Sequence, residues 1–277
     1  MRRSNWMEGN RGHFAATFDM VGTMIVQAEE ILKSAPILTD QKSLATALLF
    51  KRVLSGSEAM TILVSYGFST QARVQHRSVI EALLKLGAIC EDLSAYNDFV
   101  AQQGISKRTQ AQDMLRLREA AHLAENEEPT VAQITGLLNL AIDELSRYAT
   151  NANVKSIRKM ESYDWATRAN LTRFFWGHYA RRSDTTHHSI LDLSRDLVRN
   201  TDNVAVGINL GPDNEDPTEL LTDAGEAVRI AVEKLQKLVS FELPAGYLAS
   251  ADNLQKARIQ MASAKRAARS AKTRQPT

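Results

Sequence analysis

Apolar residues recur along the first part of the chain at Phe14, Phe18, Val21, Ile25 and Leu32, spacings of three, four and seven that lay one stripe along an α-helix. Pro36 ends it. Asp40 caps a second predicted helix, whose apolar positions Leu44, Leu48, Val53 and Ile62 carry it to about Tyr66, where Gly67 stops it. A third helix opens at Ser69 and turns Val79, Leu83, Leu86 and Cys90 inward. Helical patterns follow at about 94–103, 106–125 and 129–149, and again from Tyr163 to Tyr179, where Trp165, Phe174, Phe175 and Trp176 concentrate the aromatic content. Ile190, Leu193 and Leu197 extend helix to about Arg199. The stretch 201–217, with Gly207, Gly211, Pro212 and Pro217, has turn chemistry; beyond it come a helix from Pro217 to Phe241, an LPAG break and a terminal helix. No sustained two-residue alternation and no internal repeat is visible, so the predicted fold class is all-α, a multi-helix bundle.

Composition changes this picture in two places. A 277-residue chain that is 44% hydrophobic can bury one large core, and its single cysteine, Cys90, excludes an internal disulfide. The start MRRSNWMEGN is basic without an apolar segment behind it, and no run of about 18 apolar residues occurs, so the expectation is a cytoplasmic chain with no membrane partner. Charge is uneven: residues 251–277 carry Lys256, Arg258, Lys265, Arg266, Arg269, Lys272 and Arg274 against the lone Asp252. Residues 1–250 are expected to form the helical domain and 251–277 a basic C-terminal extension able to hold nucleic acid by counterion release. A solvated terminal helix is the competing reading.

Candidate chemistry concentrates in YARRSDTTHHS, residues 179–189. RNA can be cut without a metal if a base takes the 2′-hydroxyl proton and a cation steadies the charge on phosphorus; His187 suits the first task and Arg182 the second. On a straight helix the two side chains diverge by about 140°, so a bend or a second chain has to bring them together. The spacing is not selective, because Arg173 and His178 share it and a polar helix start satisfies the same letters. Asp184, His188 and Asp192 would share one helix face as metal ligands, and Glu119 with His122 makes a Glu-x-x-His pair. Neither set is completed elsewhere, so no metal and no cofactor is expected. Arg77 and Glu81, four apart on an apolar helix, are expected to pair and to be largely buried, with Glu81 reaching toward the 178–189 region.

RSVIEALLKL at 77–86, the later Tyr179, Ser183, His187 and Ser189, and the INLGPDNEDP loop at 208–217 together resemble an uncharacterised bacterial domain-of-unknown-function family over about residues 40–240. That family resembles in turn the HEPN superfamily of helical bundles. The resemblance implies an HEPN-like RNA-binding protein, a metal-independent endoribonuclease of a bacterial phage-defence or toxin system, acting as a homodimer. Arg182 and His187 would be catalytic, with Arg77, Glu81, Tyr179, Ser183 and His188 supporting. The chain departs from the family pattern in carrying His188 where a proline usually follows the histidine. A non-catalytic helical interaction or nucleic-acid-binding module remains the alternative.

Overall fold

The computed structural model describes residues 8–9, 12–34, 40–124, 127–151, 157, 159–179, 197–202, 204–208 and 217–273. These form a helical bundle of α1 (Ala15–Ser34), α2 (Gln41–Ser65), α3 (Ser69–Glu91), α4 (Ala95–Ala120), α5 (Val131–Asn151), α6 (Ser162–Arg168), a short α7 (Thr172–Phe174) that runs into a π-helical turn (Phe175–Tyr179), α8 (Thr218–Leu235) and α9 (Ala245–Thr273). The Asp40 carboxylate accepts from the backbone N–H groups of Lys42 and Ser43, satisfying two donors that a helix start leaves open. Gly67, at φ 76°, takes the left-handed conformation between α2 and α3.

Helices α1, α2, α3 and α8 share the main core, built on Met24, Phe50, Leu54, Met60, Leu83, Leu86, Leu221 and Leu235. Helix α8, within the stretch read as helix from Pro217 to Phe241, is central and buried around most of its circumference. Its buried charges are matched: Asp223 faces His178, Glu226 meets Arg229 and Arg258, and Lys234 meets Glu91. Paired burial of this kind is what keeps such charges tolerable in a core. A second cluster, with Ile80, Leu84, Ile89, Trp165 and Phe175, fastens α6 and the π-helical turn to the other side of α3.

Three expectations change. The helices read at 94–103 and 106–125 are the single helix α4, because Gly104 is there for close packing and not as a break: a Cβ on it would lie 3.0 Å from Leu145 of α5. Residues 197–199 are not the end of a helix but a strand, β1 (Leu197–Arg199), paired antiparallel with β2 (Ala205–Ile208) in a short ribbon. The boundary at 250/251 falls inside α9, whose Tyr247 and Leu254 are buried in the main core, so the helix is part of the bundle well beyond residue 250. Among the described residues no helix is long and apolar enough to cross a membrane. Cys90 is buried, and burial pushes its thiol up to about 12, which leaves it inert at neutral pH.

Candidate functional site

Helix α3 organises the site because adjacent residues 76 and 77 leave the helix about 100° apart and meet different neighbours. On one side the Arg77 Nε donates to Glu81 Oε1 at 3.3 Å, one turn along. The side chains are 22% and 38% exposed, so the pair is half-buried rather than enclosed as the apolar surroundings in sequence suggest. Glu81 does reach the late segment: the Tyr179 hydroxyl donates to Glu81 Oε1 at 2.9 Å and accepts from Ser162 Oγ at 3.1 Å. The Tyr179 ring stacks on Phe175 and lies under the Arg77 guanidinium, 4.9 Å from its centroid. Burial, reinforced by the Glu81 charge, raises the phenol above its ordinary range and keeps it a proton donor, while the bond from Ser162 works in the opposite direction.

Glu81 also forms part of the wall of a 790 Å³ cleft between α2, α3 and α4. Its charged lining is Lys51, Arg52, Lys85 and Glu81, three cations to one acid, and Tyr96 and Phe99 supply aromatic surface. A pocket of this size with a few polar groups converging on apolar walls is the usual form of a ligand site. Sequence reading passed over it, although Lys51 and Arg52 directly follow the apolar run at 47–50 and were the available signal.

On the other side of α3 the fully buried His76 approaches His178 of the π-helical turn and Asp223 of α8. His178 Nδ1 lies 3.2 Å from Asp223 Oδ1, and Phe174 stacks on the His178 ring at 4.4 Å. His178 and Arg173, the second Arg-to-His pair of the sequence, line one cavity of 460 Å³ with Glu226 and Arg258.

Arg182, Ser183, His187 and His188, together with Asp184 and Asp192 of the alternative metal face, lie outside the described residues. Glu119 and His122 sit at the end of α4, where His122 takes φ 52° just past the helix; they are not in the metal-capable cluster found among the described residues. Two of the basic residues assigned to nucleic acid have other work. Arg258 is held by buried Glu226, and Lys256 pairs with Asp252 one turn back. Arg266 is exposed on α9, which also carries Lys265, Arg269 and Lys272; Arg274 lies outside the described residues.

The Tyr179 network makes a direct prediction. Tyr179→Phe removes a hydrogen bond to a charged acceptor in a half-buried place, so a loss of about 1 to 2 kcal/mol is expected. A thermal-unfolding double-mutant cycle with Glu81→Gln should show coupling between the two sites; additive effects would mean the bond contributes nothing.

Fold and site define an all-helical bundle with a cationic cleft and two polar clusters gathered on one helix. The chain belongs to the Family of unknown function (DUF5677), whose model matches residues 44–204, more than half of its length. That span holds α3, the cleft and the Tyr179 segment, whereas the Gly-Pro loop and α8, counted in the resemblance to residue 240, lie beyond it. No curated protein and no solved structure matches the chain significantly.

Proposed function

We propose that this protein is an HEPN-like RNA-binding protein that cleaves RNA without a metal, as part of a bacterial defence or toxin system. The observation that carries the reading is the 2.9 Å hydrogen bond from Tyr179 to Glu81. It ties the residue that leads into Arg182 and His187 to the wall of a cleft whose charged lining is mostly cationic. Lys51, Arg52 and Lys85 attract a phosphate backbone, and Tyr96 and Phe99 offer faces on which bases stack. His187 then takes the 2′-hydroxyl proton, that oxygen attacks phosphorus, Arg182 holds the phosphorane charge, and the 5′-oxygen leaves with a proton, giving a 2′,3′-cyclic phosphate. Bringing Arg182 and His187 to one phosphate takes a bend between them or the second chain of a homodimer.

The test is incubation of mixed-sequence RNA with the full chain in EDTA, read by end-group analysis and repeated with a deoxyribose at the cleaved position. Cyclic-phosphate ends from RNA and none from the deoxy substrate are expected; intact RNA throughout rejects the nuclease reading. A second reading, a non-catalytic interaction module, is favoured by Leu44, Leu48 and Val100, which line the same cleft and are exposed. RNA binding abolished by Lys51→Glu with Arg52→Glu supports RNA as the occupant, and RNA binding unaffected by that change supports a protein partner.

The C-terminal helix contributes separately. The reading has Lys265, Arg266, Arg269, Lys272 and Arg274 each neutralise one phosphate. Truncation after Ala264 is then expected to flatten the salt dependence of single-strand binding by about 3 to 4 in log–log slope. An unchanged slope identifies the helix end as solvated surface.

A further inference from the structure

Two imidazoles and a carboxylate from three separate elements converge on a second face of α3, about 100° round from Arg77. The donor atoms of His76, His178 and Asp223 all lie within 4.8 Å of one another. Around a tetrahedral zinc ion, donors at about 2.0 to 2.1 Å sit roughly 3.3 Å apart. His178 Nδ1 and Asp223 Oδ1 already have that separation, at 3.2 Å. The His76 donor lies within 4.8 Å of both, so it completes the triangle by closing at most about 1.5 Å. Burial strengthens the case: His76 is fully buried, Asp223 is 6% exposed, and the His178 side chain is 17% exposed. Surface acids gather by chance, whereas this set is drawn into the interior from α3, the π-helical turn and α8.

The geometry points to a three-ligand site for a zinc-class transition dication formed by His76, His178 and Asp223. Nitrogen donors with one carboxylate suit zinc and its neighbours better than magnesium or calcium, which take all-oxygen shells. Of the three ligands His178 borders the 460 Å³ cavity, the side from which water would reach a fourth coordination position. With the ion on Nδ1, the neutral His178 ring carries its proton on Nε2, and the Asp223 carboxylate binds as the anion. The ion then pins the π-helical turn, and with it Tyr179, to α3 and α8. Its role is positional, and the proposed RNA chemistry itself uses no metal.

The test uses full-length protein stripped of metal, then loaded with zinc or cobalt and passed through gel filtration. One equivalent of zinc per chain is expected, and cobalt should show the visible absorption of a low-coordinate nitrogen–oxygen site. His178→Ala and Asp223→Asn should each weaken zinc binding at least about 100-fold, while His122→Ala, remote at the end of α4, should bind normally. If Asp223→Asn fails to fold by circular dichroism, His178→Ala decides, because its side chain borders the cavity. Wild-type protein that retains no metal, or His178→Ala that binds as tightly as wild type, overturns the proposal. RNA cleavage in EDTA leaves it unaffected, so the two readings fail separately.

Discussion

His187→Ala is expected to lower RNA cleavage by 10² to 10⁴-fold, about 3 to 5 kcal/mol of transition-state stabilisation, with substrate binding nearly unchanged. The size follows from the role proposed for it, in which the imidazole moves a proton in the transition state and contributes little to ground-state affinity. Arg182→Ala should cost a similar factor, because the role proposed for it is to steady a charge that grows only as phosphorus becomes five-coordinate. On the proposed reading Lys51 and Arg52, which line the cleft, hold the substrate backbone before and during reaction, so their loss should raise KM more than it lowers kcat. Rates measured in EDTA at saturating RNA separate these effects. A His188→Ala loss larger than that at His187 moves the acid–base role one residue along. Equal rates for His187→Ala and wild type sink the assignment. His178→Ala adds a control, since Arg173 and His178 share the same spacing and face a different cavity from the cleft beside Glu81.

Local signals were legible and distant ones were not. The stripe through Phe18, Val21 and Ile25, the Asp40 cap and the Gly67 stop each depend on residues within one or two turns, and each is found where the pattern puts it. The gap read between 94–103 and 106–125 is closed because Gly104 packs against Leu145, a partner on the next helix that no local pattern reveals. The ribbon was missed for the same reason: Leu197–Arg199 reads as helix until Ala205–Ile208 folds back on it, and pairing of so short a pair carries no period to detect. The Arg77–Glu81 spacing gave the pair but not its exposure, which is set by how much of α2, α4 and Tyr179 covers it. Asp223 and His76 lie on helices far apart in the chain, so only the central placement of α8 brings them together.

The largest stability effect is expected at Glu91, the last residue of α3. Lys234 of α8 donates to Glu91 Oε1 at 2.5 Å and to the Ala169 carbonyl at 2.6 Å, and Lys237 donates to the same carboxylate. Three elements therefore meet on one ammonium that is 10% exposed, opposite a carboxylate that is 16% exposed. Gly87 makes the approach feasible, since a Cβ there would sit 3.0 Å from that of Ala169 and 3.7 Å from Lys234 Cε. Glu91→Gln keeps the shape and removes the charge, which leaves Lys234 largely buried without its counter-ion; breaking such a pair costs about 3 kcal/mol. For a chain of this size that corresponds to a melting temperature lower by about 6 to 12 °C. The pH dependence fixes the cause. Hydrogen bonds from Lys234 and then Lys237 hold the Glu91 carboxyl below its usual 4.5. A depressed carboxylate stabilises the fold fully above its unfolded-state value and loses that contribution as pH falls through the folded-state value. The gap in melting temperature between wild type and Glu91→Gln should accordingly be widest near neutral pH and close below pH 4.5 as the wild-type carboxyl takes up its proton. A gap that stays constant into acid would assign the loss to packing around the amide instead of to the charge.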